Sequence, residues 1–306
     1  MRLKPTLDSG IAQLTAAGTG SPRLNAEVLL MFTLACDRAY LYAHAERELS
    51  AEEHARYQAA LEERARGKPA QYITGHQEFW GLDFLVSPAV LIPRPETEHV
   101  VETVLELVRT MELARRGGLE RQLKIVDVGT GSGCIALALA KELPGAEIVA
   151  VDISAAALEI ARANAARLQL DQRVRFFESN LLSALPDVGT VVGTGTGDSP
   201  VPTSFDFVVS NPPYVGSSAP EKVQREVRDF EPKVAVFAGE SGLEVYRQLI
   251  PQARQRLEPG GWLVMEIGFS MEAAVRALLE GWQEVRVTHD LQGIPRVVAA
   301  RFKLSS

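Results

Sequence analysis

Cysteine is scarce in this chain of 306 residues: there are two, Cys36 and Cys134, far apart in sequence. That excludes a disulfide framework and a cysteine-based metal site. The five histidines, at positions 44, 54, 76, 99 and 289, show no ligand spacing, so no metal is expected. No run of about 18 or more apolar residues occurs, which removes a membrane-spanning helix. The basic residues of Met1-Arg2-Leu3-Lys4-Pro5 lead into no continuous apolar stretch, so we expect no signal peptide and a cytoplasmic chain. Positive charge is in deficit as well. The net charge is −7, and residues 1–90 hold nine Lys and Arg against eleven Asp and Glu. Phosphate binding is driven by Lys and Arg, so direct nucleic-acid binding is not expected.

What is present suffices for a full core: 46% of residues are hydrophobic and 23% charged. The length suggests about two domains. The first ~70 residues read as helices by their apolar spacing. Between Leu24 and Leu41 the residues Val28, Leu29, Phe32 and Leu34 recur at helical intervals, Ser50 with Glu53 forms a capping box, and Gly67 before Pro69 gives a stop. Glu78 to Val86 is aromatic and β-branched around Gly81-Leu82-Asp83, which predicts a short hairpin. In Leu91-Ile92-Pro93-Arg94-Pro95-Glu96-Thr97-Glu98 two prolines stiffen the backbone as a pocket wall would require, and an amphipathic stretch follows from Val100 to Leu113.

After Arg121, strands and helices alternate. Strands are predicted at Lys124–Val128, Glu147–Val151, Arg173–Phe177, Phe205–Ser210 and Trp262–Ile267, with a helix from Ser154, its N-cap, to Leu168. Apolar strands alternating with helices predict a doubly wound, mostly parallel α/β sheet. Glu284–Thr288 and Arg296–Phe302 are too close for a crossover helix and should pair antiparallel at the sheet edge, completing seven strands. Asp187 to Ser204, rich in Gly, Thr, Ser and Pro, reads as a flexible loop. The expected domains are a helical one at 1–72, a hairpin linker at 73–95 and the sheet domain at 96–306.

Two motifs carry chemistry. Asn211-Pro212-Pro213-Tyr214 follows the buried strand Phe205–Ser210. Proline cannot continue a sheet ladder, so the strand stops there. An amide, two rigid prolines with unneighboured carbonyl oxygens and an aromatic ring suit the grip of a planar donor such as an amide or aromatic amine. The second motif, Asp127-Val128-Gly129-Thr130-Gly131-Ser132-Gly133, joins the first parallel strand to the apolar helix Ile135–Leu143. Its glycines allow a tight turn and close approach of a ligand to helix N–H groups. A dinucleotide fingerprint would put its third glycine at 134, where this chain has Cys134. Asp152, closing the second strand, stands where a carboxylate accepts both hydroxyls of a ribose. Glycine at alternate positions behind an acid is the pattern of S-adenosylmethionine enzymes; a bare tight turn and a dinucleotide site remain the alternatives.

With these residues the chain resembles the class I methyltransferases and, more closely, the PrmC/HemK family of protein-glutamine methyltransferases. The resemblance runs through Pro69-Ala70-Gln71-Tyr72-Ile73, Glu78-Phe79-Trp80-Gly81, the 91–98 segment, the glycine loop, Asn211-Pro212-Pro213-Tyr214, Glu231-Pro232, Glu266-Ile267-Gly268 and Asp290 to Arg296. It implies an enzyme that uses S-adenosyl-L-methionine to methylate the glutamine of the Gly-Gly-Gln tip of class I peptide-chain release factors, its protein partners; we expect a monomer. It implies that Asn211 and Pro212 are catalytic, that Asn211, Pro212, Pro213 and Tyr214 hold the substrate, and that Tyr214 stacks on the amide plane. Cofactor binding would fall to Gly129, Thr130, Gly131, Ser132, Gly133, Asp152, Asn180 and Asn211. Asn180 departs from the family's usual Asp; its carbonyl can still accept from an adenine amine, without charge assistance. An early Asp-Ala-Glu becomes Asn25-Ala26-Glu27, and the 187–204 loop is long for the family. The alternatives are an adenine methyltransferase acting on a flipped base and a non-catalytic cofactor-binding module.

Overall fold

A computed structural model describes residues 1–114, 122–186, 201–217 and 223–303. The Gly/Thr/Ser/Pro stretch predicted as a loop therefore lies, over residues 187–200, outside the described residues. The chain forms two compact units: Met1–His76 with Val223–Phe230, and Gln77–Lys222 with Glu231–Ser306. Among the described residues no helix is long and apolar enough to cross a membrane.

The first unit is helical: α1 Leu3–Ala16, α2 Pro22–Leu34, α3 Arg38–Ala43, α4 Ala51–Ala65 and α5 Ala70–Thr74. The capping box at α4 forms as its sequence predicts, with Glu53 N–H donating to Ser50 Oγ at 3.1 Å and Ser50 N–H to Glu53 Oε2 at 2.9 Å. The 24–41 segment needs a correction. It is two helices, because Ala35 turns left-handed (φ 50°) and Asp37 caps a new start by accepting from Tyr40 N–H. Its inward row is Ala26, Leu29, Leu30 and Thr33, whereas Phe32 is 51% exposed. Rows one residue apart satisfy the same helical spacing, and packing against Leu14, Tyr57 and Leu61 selects this one.

The second unit opens with the hairpin of β1 (His76–Phe79) and β2 (Leu82–Leu85). Its turn is Trp80-Gly81 rather than Gly81-Leu82-Asp83, both residues having positive φ, 55° and 65°. A two-residue turn of that kind matches strand twist. Trp80 tolerates it because its N–H donates to Glu98 Oε1 at 2.7 Å and its indole N–H to Glu142 Oε1 at 3.0 Å. After a 3₁₀ turn at Pro95–Thr97 come α6 (Glu98–Ala114), β3 (Lys124–Val128), α7 (Cys134–Glu142), β4 (Glu147–Asp152), α8 (Ala155–Arg167), β5 (Val174–Glu178) and β6 (Phe205–Ser210). The short helices α9 (Arg225–Phe230), a member of the first unit, and α10 (Lys233–Val236) precede α11 (Glu244–Arg256), β7 (Leu257–Glu266), α12 (Glu272–Leu278), β8 (Glu284–His289) and β9 (Pro295–Arg301).

The seven strands run in the order β5-β4-β3-β6-β7-β9-β8. Neighbours from β5 to β7 are parallel, while β9 is antiparallel to both β7 and β8, as the short connection required. Side chains alternate between two cores. Ile125, Ile148, Val209 and Val264 meet α6 and α7 on one face, and Val126, Val149, Val208 and Leu263 meet α11 on the other. Burial on both faces explains the continuous apolar runs.

The chain winds from β3 outward to β4 and β5, then returns to the opposite side of β3 as β6. Ligands of open α/β sheets bind at the carboxyl ends of strands where the order reverses in this way. The register Val128↔Ser210 therefore sets the two sequence motifs side by side, and Ser210 Oγ donates to Val128 O at 2.8 Å.

One buried amide ties the surroundings together. Asn164 in α8 donates to Leu85 O (3.0 Å) and Ser132 O (2.9 Å) and accepts from Leu85 N–H (2.7 Å), linking the hairpin to the glycine loop. Replacing Asn164 with alanine strands these buried backbone groups, and each unmet partner costs about 1–3 kcal/mol. We expect Asn164→Ala to lower unfolding free energy by about 2–4 kcal/mol in denaturant titration. A loss below about 0.5 kcal/mol would mean that water or rearrangement replaces the bonds.

Candidate active site

The glycine loop divides its labour. Gly129 and Gly131 adopt positive φ (71° and 55°), and a Cβ at either would meet nothing within 4 Å. They leave open space at the wall of a cavity that Thr130, Ser132, Asp152, Asn180, Asn211 and Pro213 also line. Gly133 differs. It caps α7 with φ 84°, and a Cβ there would press to 3.1 Å on Leu137 and 3.3 Å on Ala161. Its smallness serves helix packing, and it is not part of the cavity wall.

Carboxylates hold the loop in shape. Gly131 N–H donates to Asp152 Oδ2 and Ser154 N–H to Asp152 Oδ1, both at 2.9 Å. Burial raises the Asp152 carboxyl above its ordinary value, and these N–H groups pull it partly back. Asp127 is the acid that precedes the loop in sequence. Its Oδ2 accepts from Thr130 Oγ1 (2.6 Å) and Ala136 N–H (3.2 Å), while its buried Oδ1 has no hydrogen-bond partner. Burial pushes its carboxyl up to about 7, against the lowering effect of those two bonds. Cys134 joins the cavity wall, but burial raises its thiol to about 12, so it stays protonated and unreactive.

The tetrapeptide is spread over different environments. Asn211 and Pro213 line the cavity, whereas Pro212 is buried and Tyr214 lies off the wall. The Tyr214 hydroxyl donates to Glu266 Oε1 at 3.3 Å, and burial raises its pKa further. Gly268 packs against the Tyr214 ring, since a Cβ would come within 2.8 Å of it. The ring expected to stack on substrate is thus seated in the protein behind the cavity. Asn211 Nδ2 donates to Thr97 Oγ1 at 3.0 Å, and Thr97 Oγ1 donates to Glu266 Oε2 at 2.6 Å.

The proline-rich segment does form a wall: Leu91, Pro93, Arg94 and Thr97 line the cavity, and Arg94 is paired with the buried Glu231. Sequence reasoning missed Ile153, Val234, Ala235 and Val245, which contribute to its apolar lining. Nothing but Glu231-Pro232, next to Val234, pointed there. Among the described residues no group of three or more His, Cys, Asp or Glu could hold a metal ion.

The chain resembles known proteins at two levels, sequence and fold. The family described as PrmC N-terminal domain matches residues 6–75, and a methyltransferase domain family matches residues 119–283. A release factor glutamine methyltransferase of Koribacter versatilis is 54% identical over 301 residues, covering 98% of this chain and 99% of that protein. One from Geobacter sulfurreducens is 38% identical, covering 98% and 96%. Among solved structures, the hMettl16 catalytic domain in complex with an RNA hairpin aligns with TM-score 0.53 at 17% identity, covering 83% of this chain and 82% of that one. A T. Thermophilus 16S rRNA methyltransferase in complex with AdoMet and guanosine aligns with TM-score 0.50 at 20% identity, covering 74% and 50%. At these identities the two structures share the fold.

Asp127 and Glu266 both carry folded-state pKa values near 7, above the ordinary 3.8 and 4.5. Between about pH 4 and about pH 7 the folded chain then binds more protons than the unfolded chain, so stability falls as pH rises through that window. We expect the unfolding midpoint of the ligand-free chain to drop across this range and Asp127→Asn to make the drop shallower. An unchanged slope in Asp127→Asn would rule out Asp127 as a source.

Proposed function

Since the chain belongs to the release factor glutamine methyltransferase family, we propose that it methylates the side-chain amide nitrogen of the glutamine in the Gly-Gly-Gln motif of class I release factors, with S-adenosyl-L-methionine as donor. The observation that carries this reading is the pairing, across the β3–β6 register, of an open glycine loop with Asn211 at one cavity.

The residues at the loop suit the donor. Gly129 and Gly131 leave room where side chains would intrude. The Asp152 carboxylate stands at the wall for ribose hydroxyls, Asn180 for the adenine amine, and the orphaned Oδ1 of Asp127 is an acceptor beneath the loop. When bound, the donor supplies an electrophilic methyl on a sulfonium whose positive charge is lost on transfer.

The acceptor poses the harder problem. An amide nitrogen is a poor nucleophile because its lone pair is delocalised into the carbonyl. Asn211 Oδ1 and the Pro212 backbone oxygen can accept the two N–H bonds, which aims the nitrogen and favours electron density on it. No strong base is needed beforehand, because the nitrogen becomes acidic only as its new N–C bond forms, and its proton then leaves to solvent. Positioning of this kind is worth about 7–11 kcal/mol in well-oriented systems. The role of Pro213 is to rim the cavity, and that of Tyr214 is to brace the turn from behind.

In this reading the enzyme works as a monomer in the cytoplasm, where release factors act. We assign residues 1–72 to recognition of the release factor and residues 73–95 to a hairpin linker. The net charge of −7 weighs against a nucleic-acid acceptor.

Labelled methyl transfer to a release factor, compared with its Gln→Ala variant, tests the acceptor; equal labelling of both would refute it. Asn211→Ala should abolish turnover, by on the order of 10²-fold or more, while donor binding by calorimetry persists. Near-normal turnover would remove Asn211 from the mechanism.

A further inference from the structure

The hydrogen-bonded line beneath Asn211 has a direction that chemistry imposes. It runs from Asn211 Nδ2 to Thr97 Oγ1 (3.0 Å) and from Thr97 Oγ1 to Glu266 Oε2 (2.6 Å), with the Tyr214 hydroxyl donating to Glu266 Oε1 (3.3 Å). Thr97 and Glu266 are buried. An ionised carboxylate only accepts, and a threonine hydroxyl has one proton to give. Once that proton is committed to Glu266, the Thr97 oxygen offers Asn211 nothing but lone pairs. The edge of the Asn211 amide facing Thr97 must then be its NH₂, and Oδ1 is left for another partner. In the reverse orientation Asn211 would present donors to an acceptor amide that itself presents donors.

We propose that Glu266, acting through Thr97, is a positioning residue that fixes the polarity of the Asn211 amide so that Oδ1 is turned to the substrate nitrogen. The proposal rests on the reading of Asn211 as the residue that holds the acceptor amide. Glu266 touches neither substrate nor donor; its effect passes through one hydroxyl.

The surroundings of Glu266 make the line sensitive to pH. Burial pushes its carboxyl up to about 7; the bonds from Thr97 and Tyr214 lower it, Glu96 raises it and Arg296 lowers it. Cys134 of α7 and Tyr246 of α11 also face it, and the Tyr246 hydroxyl donates to the Glu266 backbone oxygen at 2.8 Å. A protonated Glu266 has a hydrogen to give as well as lone pairs, so the Thr97 proton is no longer committed and the amide of Asn211 is free to reverse. Turnover should therefore rise with pH through about 7.

The test is the pH profile of kcat on the full chain with a release factor as substrate, alongside calorimetric binding of S-adenosyl-L-methionine. Thr97→Val keeps the shape and removes the hydroxyl; we expect kcat to fall on the order of 10²-fold, as for a displaced reactant. We also expect its profile to be flat near pH 7, with donor binding retained. Thr97→Ser, which restores the hydroxyl, should recover both the rate and the rise near pH 7. Glu266→Gln should lose the rise. A Thr97→Val enzyme with the wild-type rate, or one that keeps the rise near pH 7, overturns the proposal. So does a Thr97→Ser enzyme as slow as Thr97→Val, since a structural defect alone would then account for the loss. If Asn211→Ala is inactive while Thr97→Val is fully active, only the relay fails. If Asn211→Ala itself is fully active, the functional reading of Asn211 fails with it.

Discussion

The parallel pairing of β3 with β6 is the constraint on which the rest depends. Val128 lies opposite Ser210, so the chain leaves the sheet at two adjacent points as Gly129 and Asn211, 82 residues after the first. Parallel strands end on the same side of a sheet, and here the helices connecting them diverge. That divergence opens a cleft without any side chain having to be removed. The Ser210 hydroxyl, donating to Val128 O, satisfies a carbonyl at the point where the ladder runs out.

Two acids are buried beneath this cleft, and their placement follows from what the strand ends leave unpaired. Asp127 lies under the glycine loop and takes the N–H of Ala136, in the first turn of α7, where a helix has no internal acceptor. Glu266, at the end of β7, takes the hydroxyls of Thr97 and Tyr214 under the second turn. Burying a carboxyl is costly, and both are pushed up to about 7. The cost is tolerable because each acid orders several donors at once. Rigid loops at the cavity are obtained at the expense of stability in the neutral range, a trade common at functional sites.

The strands were legible because both faces of the sheet are buried, which writes apolar β-branched runs such as Ile125-Val126 and Val208-Val209 directly into the sequence. The hairpin at the end of the chain was legible from length alone. Helices of the first unit were less so: the row through Phe32 obeys the same period as the buried row through Leu29 and Leu30, and only the neighbouring helices distinguish them. At the site, Asp152 and Asn180, expected from strand ends away from either motif, line the cavity. Thr97 and Glu266 are 169 residues apart, and no local pattern reports that they bond. Gly133 and Tyr214 lie off the cavity wall. Each sits inside a ligand-like motif, yet one packs a helix and the other braces a turn.

The sheet by itself does not choose an acceptor, because a fold of this kind hosts many chemistries. One part of the cavity is made from strand ends, and strand ends recur wherever the sheet does. The other walls are made from segments outside the sheet order: Leu91 to Thr97, whose prolines stiffen one wall, and Pro232 to Val245, whose apolar side chains contribute to another. The guanidinium of Arg94 at that wall is already paired with Glu231, so the wall is not built to attract a chain of phosphates. A cleft with apolar walls, a neutralised arginine and an amide of fixed polarity selects by shape and by hydrogen bonding. For a flat, uncharged carboxamide, those are the only handles available.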